Sequence, residues 1–117
     1  MLTFNLKKEW FDKIKSGEKT HEYRLVTDYW RKRISKQSQW NELRQKGSNK
    51  RIPLFDITFC CGYPKKDDKK KRLSAVCLAW HIINGKNTDL AIDKDVYDIE
   101  FELIKEQTNE KWRWNYK

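Results

Sequence analysis

The sequence has few residues that could bind a metal ion. It contains three cysteines and two histidines, and none of the cysteines stand in a C-x-x-C pair of the kind that zinc sites use. We therefore expect neither a metal ion nor another cofactor. The odd number of cysteines, together with the lack of a recognisable signal peptide, predicts a reducing, cytoplasmic location.

Long apolar runs are also missing. No run approaches the ~18 apolar residues that a membrane-spanning helix needs, so we expect no membrane partner. Only 38% of the residues are hydrophobic, and the mean hydropathy is −1.02. Six Trp, five Tyr and five Phe compensate, because each buried aromatic side chain removes ~150–250 Å² from water. The composition predicts one folded domain over residues 1–117.

Negative charge is scarce in most of the chain. The formal net charge is +9, and residues 84–117 carry six basic against eight acidic residues, so residues 1–83 hold +11. A basic body in which aromatic residues alternate with cations is typical of proteins that bind a polyanion, most simply a nucleic acid. A lysine-rich surface that serves only solubility is the alternative.

Hydrophobic periodicity predicts four or more strands, of which the first is either a short entry strand or an extended arm, and two short helices. The strands fall at 1–6, 19–26, 52–60, 73–83 and 96–104, and the helices at 7–16 and 29–36. Gly17 should end the first helix. On the second helix we expect the inner face to be formed by Tyr29, Trp30, Arg33 and Ile34. Without a βαβ rhythm, these elements predict an α+β domain around a mostly antiparallel, closed β-barrel, with two or three short helices packed on it.

Three polar segments interrupt this pattern. Residues 37–51 are interpreted as an insertion or flap, in which residues 41–45 could continue a helix until Gly47, and residues 65–72 as a basic hairpin tip. The tail, residues 107–117, alternates tryptophans with cations. Its aromatic residues either stack on bases or pack back onto the barrel as a last strand.

A cluster of mixed charge follows Gly17. Lys19, Glu22 and Arg24 lie within six residues. Glu22 and Arg24 are two apart in the predicted strand, hence on one face and ~7 Å apart, close enough to pair. Charged side chains are costly to bury unless they are paired. The three residues therefore lie on a solvated edge, line a ligand cleft, or tie the first helix to the barrel.

The same segment, Gly17 to Arg24, fits the pattern G-x-K-x-x-E-x-R and resembles the ASCH domain family. The helix before it and a later strand that ends at Gly62-Tyr63-Pro64 are similar to those of small stand-alone members. The resemblance covers residues 4–34, 52–64 and 72–104. It implies a PUA-like β-barrel with a cleft beside the motif helix, and RNA or a modified nucleoside or nucleotide as the partner.

The resemblance also implies an alternative function. Some small members are hydrolases that cleave RNA or act on N4-acetylcytidine, so this chain could be a ribonuclease or a nucleoside amidohydrolase that works without a metal. The amide hydrolases use a lysine, a threonine and a glutamate. Lys19 matches the lysine, Glu22 stands where the threonine would be, and Glu100 or Glu102 is the candidate for the distant glutamate.

Both functions place their chemistry on the same residues. In a binding module, Arg24 holds phosphate or a base edge, Lys19 contacts phosphate, and Glu22 orients Arg24 or accepts a hydrogen bond from the base. In a hydrolase, Lys19 is a proton donor or base, Glu22 activates water, and Arg24 stabilises the oxyanion. Further nucleic-acid contacts are expected from two stacking tyrosines, Tyr23 and Tyr63, and from three basic residues that could instead only face solvent, Arg31, Lys32 and Arg33.

Overall fold

The computed structural model describes residues 1–45 and 54–104, with side chains for 1–37 and 54–104. Five strands and two α-helices follow one another as β1 (Leu2–Leu6), α1 (Lys8–Ser16), β2 (His21–Leu25), α2 (Asp28–Gln45), β3 (Phe55–Cys61), β4 (Arg72–Asn84) and β5 (Asp95–Leu103). Short 3₁₀ turns lie at Lys69–Lys71, before β4, and at Gly85–Asn87, before β5. The domain is therefore α+β, as the sequence predicts.

The five strands form one mixed sheet in the order β1-β3-β4-β5-β2, which curls into a half-barrel. Only the β1–β3 pair is parallel, so the prediction of a mostly antiparallel sheet is confirmed. Closure differs from the prediction, because within the described residues β1 and β2 remain the two edges. One side chain spans the seam between them: Arg24 on β2 donates from Nη2 to the carbonyl oxygen of Asn5 on β1, at 3.3 Å.

The hydrophobic core lies between the sheet and the two helices. On β1 the alternation of buried and exposed residues is complete, as expected for a strand with one buried face. Phe59 of β3 packs between Phe4 and Phe101, with ring centroids 5.8 and 4.7 Å away. The helices contribute Phe11, Ile14 and Ile34, all fully or almost fully buried. This packing holds the α1–β2 turn against the sheet.

Helix α1 ends as the sequence predicts. Gly17 adopts a left-handed conformation (φ 88°) and its N–H donates to the carbonyl of Ile14 at 3.1 Å. Glycine takes this conformation without the steric penalty that a Cβ brings. The chain can therefore reverse within a few residues and enter β2.

Helix α2 continues without a break past the predicted end at Lys36 to Gln45, so it takes in the first part of the 37–51 segment, including the possible helical stretch at 41–45. Its inner face is also only half right. Ile34 is buried and Trp30 packs against the core, one turn away. Tyr29 is 50% exposed and Arg33 is exposed. The guanidinium of Arg33 stacks on the Tyr29 ring outside the core, so these two stabilise each other instead.

The other predicted segments divide between described and undescribed residues. The basic tip at 65–72 contains the first 3₁₀ turn and is fixed by Arg72, which donates to the carbonyls of Pro64 and Lys65 at 3.1 and 2.9 Å. Residues 46–51 and the tail at 107–117 lie outside the described residues. In the part of the chain that is described, no helix is both long and apolar enough to cross a membrane.

Candidate functional site

The turn between α1 and β2 carries Lys19 back over the helix. Lys19 precedes β2, which begins at His21 and is shorter than the predicted strand. The N–H of Lys19 donates to the carbonyl of Lys13 at 3.0 Å. Its side chain is only 8% exposed, and the ammonium lies 5.5 Å from the ring centroid of Trp10 and 5.0 Å from that of Tyr23. Such contacts contribute ~0.5–2 kcal/mol each, more where water is excluded.

Four ionised groups surround the base of this turn. Glu22, with a side chain 7% exposed, accepts from Arg24 Nε at 3.0 Å and Nη2 at 2.7 Å. Its other oxygen lies 3.4 Å from Lys19 Nζ, and Lys19 also forms an ion pair with Asp89. Two positive and two negative charges balance, which is what allows a carboxylate to be buried here. We call Lys19, Glu22, Arg24 and Asp89 the ion network.

Arg24 lies on the far side of Glu22 from Lys19. Its guanidinium carbon is 5.0 Å from the ring centroid of Phe4 and 5.4 Å from that of Trp30. Together with the bond to Asn5 across the seam, these contacts place it between β1, β2 and α2. The three motif residues therefore come together as predicted, but Glu22 pairs with both Lys19 and Arg24, and neither Glu22 nor Arg24 lines the neighbouring pocket.

That pocket, which we call the α1–β2 pocket, has a volume of about 290 Å³. Its lining combines three aromatic rings, two hydroxyls (one of them on the Tyr23 ring), two amines and two carboxylates: Trp10, Lys13, Glu18, Lys19, Thr20, His21, Tyr23 and Asp89. The lysines and carboxylates balance, so the lining is polar without being strongly cationic. Lys13 also lies over the Trp10 ring, 4.9 Å from its centroid.

Two residues of this region had no predicted role. His21 Nδ1 and Asp98 Oδ1 are 2.6 Å apart, with side chains 38% and 18% exposed. The pair forms because β2 and β5 are antiparallel neighbours in which His21 lies opposite Glu100 and Tyr23 opposite Asp98. The two partners are 77 residues apart in the sequence, so no local pattern could reveal them.

Tyr23 connects the histidine to the lysine. Its ring stacks on that of His21 with centroids 6.4 Å apart, and it carries the Lys19 ammonium on its face. Burial raises the pKa of the Tyr23 phenol, and the negative charges of Asp98, Asp89 and Glu22 raise it further. Tyr23 therefore stays neutral and available as a hydrogen-bond donor well into alkaline pH.

The remaining predicted contacts lie elsewhere. Tyr63 is 91% exposed in the connection after β3. On α2, Arg31 pairs with Asp28 at 2.5 Å, Lys32 is exposed, and Arg33 stacks on Tyr29. None of these is among the residues that line the α1–β2 pocket. Of the two glutamates considered for a hydrolase, Glu100 lies opposite His21 in the sheet, and Glu102, two residues further along β5, is exposed.

Within residues 1–37 and 54–104, no three His, Cys, Asp or Glu side chains come close enough together to bind a metal ion. Comparison of the chain with protein-family models, with curated proteins and with solved structures finds no match. The ASCH resemblance and the PUA-like assignment therefore remain predictions from the sequence.

Proposed function

We propose that the protein binds RNA or a nucleotide and holds one base in the α1–β2 pocket. The observation that carries this proposal is the composition of the pocket, in which aromatic rings stand beside both donors and acceptors. A nucleobase has a stacking face and an edge that carries both kinds of group. The volume, about 290 Å³, is at the low end of ligand pockets, ~300–1,000 Å³, as expected for one small ligand.

The charge balance of the pocket favours the base over the phosphate as its occupant. Each of its lysines has a carboxylate in the same lining, and Lys19 is paired directly with Asp89. Phosphate contacts then fall to basic residues outside it, among them Lys32 on α2; Arg31 is paired with Asp28 and is not assigned a phosphate. This proposal keeps Tyr23 in base recognition. It moves Lys19 from phosphate to the base, and it moves phosphate binding away from Arg24.

The assignment to the ASCH family is part of the same proposal. Gly17, Lys19, Glu22 and Arg24 take the four positions of the family pattern. A half-barrel with a helix beside the motif is compatible with an open form of a PUA-like barrel. In this arrangement Glu22 and Arg24 act as positioning residues, because Glu22 holds Lys19 at the edge of the pocket, Arg24 holds Glu22, and neither lines the pocket.

Two aspartates in one connection give a matched test. Asp89 lines the pocket, while Asp93 lies nearby in sequence, pairs with Lys86 and is not among the lining residues. Calorimetry with the four nucleosides and with a short single-stranded RNA should show binding. Asp89→Asn should weaken it about tenfold, since a hydrogen bond to a charged group contributes ~1.5–3 kcal/mol. Asp93→Asn should leave it unchanged.

Either of two results would rule out base binding in this pocket. One is that no nucleoside or RNA binds at low salt. The other is that Asp89→Asn and Asp93→Asn change the affinity equally, because only the net charge would then matter.

The His21–Asp98 pair favours hydrolysis as the second candidate function. With Nδ1 held by Asp98, the Nε2 of His21 is the atom that could take a proton from a hydroxyl or water in the pocket. Lys19 would stabilise the negative charge that develops. Glu22, under Lys19 and Arg24, becomes a positioning residue rather than the base that the sequence suggested.

His21→Gln tests this candidate. The variant should abolish cleavage of RNA or of N4-acetylcytidine but leave binding of the same compounds within a few fold. Asp98→Asn should reduce the rate and shift its pH profile. Equal rates for the wild type and His21→Gln would exclude this mechanism.

A further inference from the structure

A second pocket lies between the start of β1 and the middle of α2. It has a volume of about 330 Å³ and is lined by Met1, Leu2, Thr3, Tyr29, Arg33, Lys36 and Gln37. Its two charged side chains, Arg33 and Lys36, are both basic. This distinguishes it from the α1–β2 pocket, where Glu18 and Asp89 balance the lysines. We call it the β1–α2 pocket.

Arg33 is held in a fixed direction at this pocket. Its guanidinium carbon lies 3.4 Å from the centroid of the Tyr29 ring, and Nη1 donates to the Tyr29 carbonyl at 3.0 Å. A planar guanidinium stacked on an aromatic ring loses little further freedom when it binds a ligand. Among the described residues, the hydrogen bond to the Tyr29 carbonyl uses Nη1, and Nε and Nη2 remain for another acceptor.

The two basic residues also lack acidic partners. Within residues 1–37 and 54–104, neither Arg33 nor Lys36 forms an ion pair, whereas Arg24 and Arg31 are paired with Glu22 and Asp28. Lys36 is three residues after Arg33, which places the two on one face of the helix. Their charges therefore add at the pocket and are not cancelled by a neighbour.

The edge strand supplies a further donor. The carbonyl of Leu6 accepts from Gly62 on the β3 side, and that of Asn5 accepts from Arg24 on the open side. Successive residues of a strand point their backbone groups to opposite sides, and the N–H and C=O of one residue point the same way. Thr3, two residues before Asn5, therefore turns its N–H to the open edge, where it lines the pocket.

We propose that the β1–α2 pocket binds a phosphate group. The lining residues carry a guanidinium fork, an ammonium, a hydroxyl and an edge-strand N–H, and these donors suit the several oxygens of a phosphate. The proposal does not depend on base binding in the α1–β2 pocket. The phosphate belongs either to a small phosphorylated molecule or to the backbone of an RNA strand, and the experiment distinguishes these sources.

The test compares two arginines of the same helix. Calorimetry with inorganic phosphate, on the full chain at constant ionic strength, should detect binding to the wild type. Arg33→Gln should weaken it about tenfold, the scale of one lost charge-assisted hydrogen bond. Arg31→Gln removes the same charge two residues away, outside the pocket, and should change the affinity less than about twofold. Arg33→Lys keeps the charge but loses the fork, so its affinity for phosphate should lie between those of Arg33→Gln and Arg31→Gln.

A second titration, with a ten-nucleotide single-stranded RNA, identifies the source. If Arg33→Gln weakens both phosphate and RNA, and Arg31→Gln neither, the site holds a backbone phosphate. If Arg33→Gln weakens the binding of inorganic phosphate but not of RNA, the ligand is a small phosphorylated molecule. The proposal is overturned if wild type does not bind phosphate, or if Arg31→Gln and Arg33→Gln weaken it equally. Arg33 is exposed, so all variants should keep the circular dichroism spectrum of the wild type.

Discussion

Replacement of Glu22 by glutamine tests whether the ion network holds the α1–β2 turn in place. Glu22 is 7% exposed and is the group that Lys19 and Arg24 share. Glutamine has nearly the same shape but no charge. Among the described residues, Lys19 keeps Asp89 as a partner, whereas Arg24 keeps the Asn5 carbonyl and the faces of two aromatic rings. The variant therefore leaves a partly buried guanidinium without a carboxylate.

The expected loss of stability follows from this geometry. Breaking a buried ion pair from one side costs ~3–5 kcal/mol. The Arg24 side chain is 23% exposed, so water compensates in part, and we expect a loss of about 3 kcal/mol, at the lower end of that range. For a chain of this length, 1 kcal/mol corresponds to ~4 °C in the melting temperature, which gives a decrease of about 12 °C.

Urea unfolding followed by circular dichroism measures this loss. The midpoint should fall by about 1–2 M with an unchanged slope, since the unfolded surface is the same. Asp12→Asn is the control, because it removes a carboxylate from the exposed Lys8–Asp12 pair, whose side chains are 80% and 51% exposed. Exposed pairs contribute little, so its midpoint should match that of the wild type.

A Glu22→Gln midpoint equal to that of the control would refute the reasoning. It would mean that the neutral amide holds Arg24 and Lys19 as well as the carboxylate does. The charge of Glu22 would then have no part in fixing Lys19, whose position at the pocket would follow from its contacts with Trp10, Tyr23 and Asp89.

Two further predictions concern glycines and a cysteine. A Cβ on Gly85 would lie 2.8 Å from both the Ile92 carbonyl oxygen and Val96 Cγ1, while nothing lies within 4 Å of one on Gly17. Gly85→Ala should therefore lower the free energy of unfolding by ~1–3 kcal/mol through overpacking. Gly17→Ala should lower it by ~1–2 kcal/mol through its left-handed backbone alone. A larger loss for Gly17→Ala than for Gly85→Ala in urea unfolding would contradict this. Burial raises the pKa of the Cys77 thiol to about 12 from an ordinary 9.0. The folded state favours the neutral thiol, so this contribution to stability is complete below pH 9 and is lost as the pH rises towards 12. Cys77→Ala should thus lose stability less steeply between pH 8 and 10.5 than the wild type, and parallel pH curves would show that Cys77 contributes nothing there.

Much of the local structure could be predicted from the sequence. The alternation of Leu2, Phe4 and Leu6 gives β1, and the spacing of Trp10 and Ile14 gives α1, because each pattern depends on the few residues of one turn or strand. Gly17 could be recognised as the end of α1 for the same reason. The pairing of Glu22 with Arg24 was also predictable, since the two are neighbours on one face of one strand.

The extent of α2 and the form of the sheet could not be predicted in this way. The residues after Lys36 are polar and give no clear helical stripe, although the helix continues to Gln45. Whether the sheet closes depends on how far β1 and β2 approach each other after the other strands have paired. That distance is a sum of twists and registers along the whole sheet, to which no local pattern corresponds.

The sequence by itself determined that a lysine, a glutamate and an arginine would stand together after α1, and that the body of the chain would be basic. Only the tertiary structure decided that, of these three residues, Lys19 alone reaches the α1–β2 pocket. It also decided that Asp89 pairs with Lys19 from 70 residues away and that His21 meets Asp98. The physical reason is that secondary structure follows from interactions within a few residues, whereas the chemistry of a site follows from strand register and loop placement. These are fixed by packing over the whole domain.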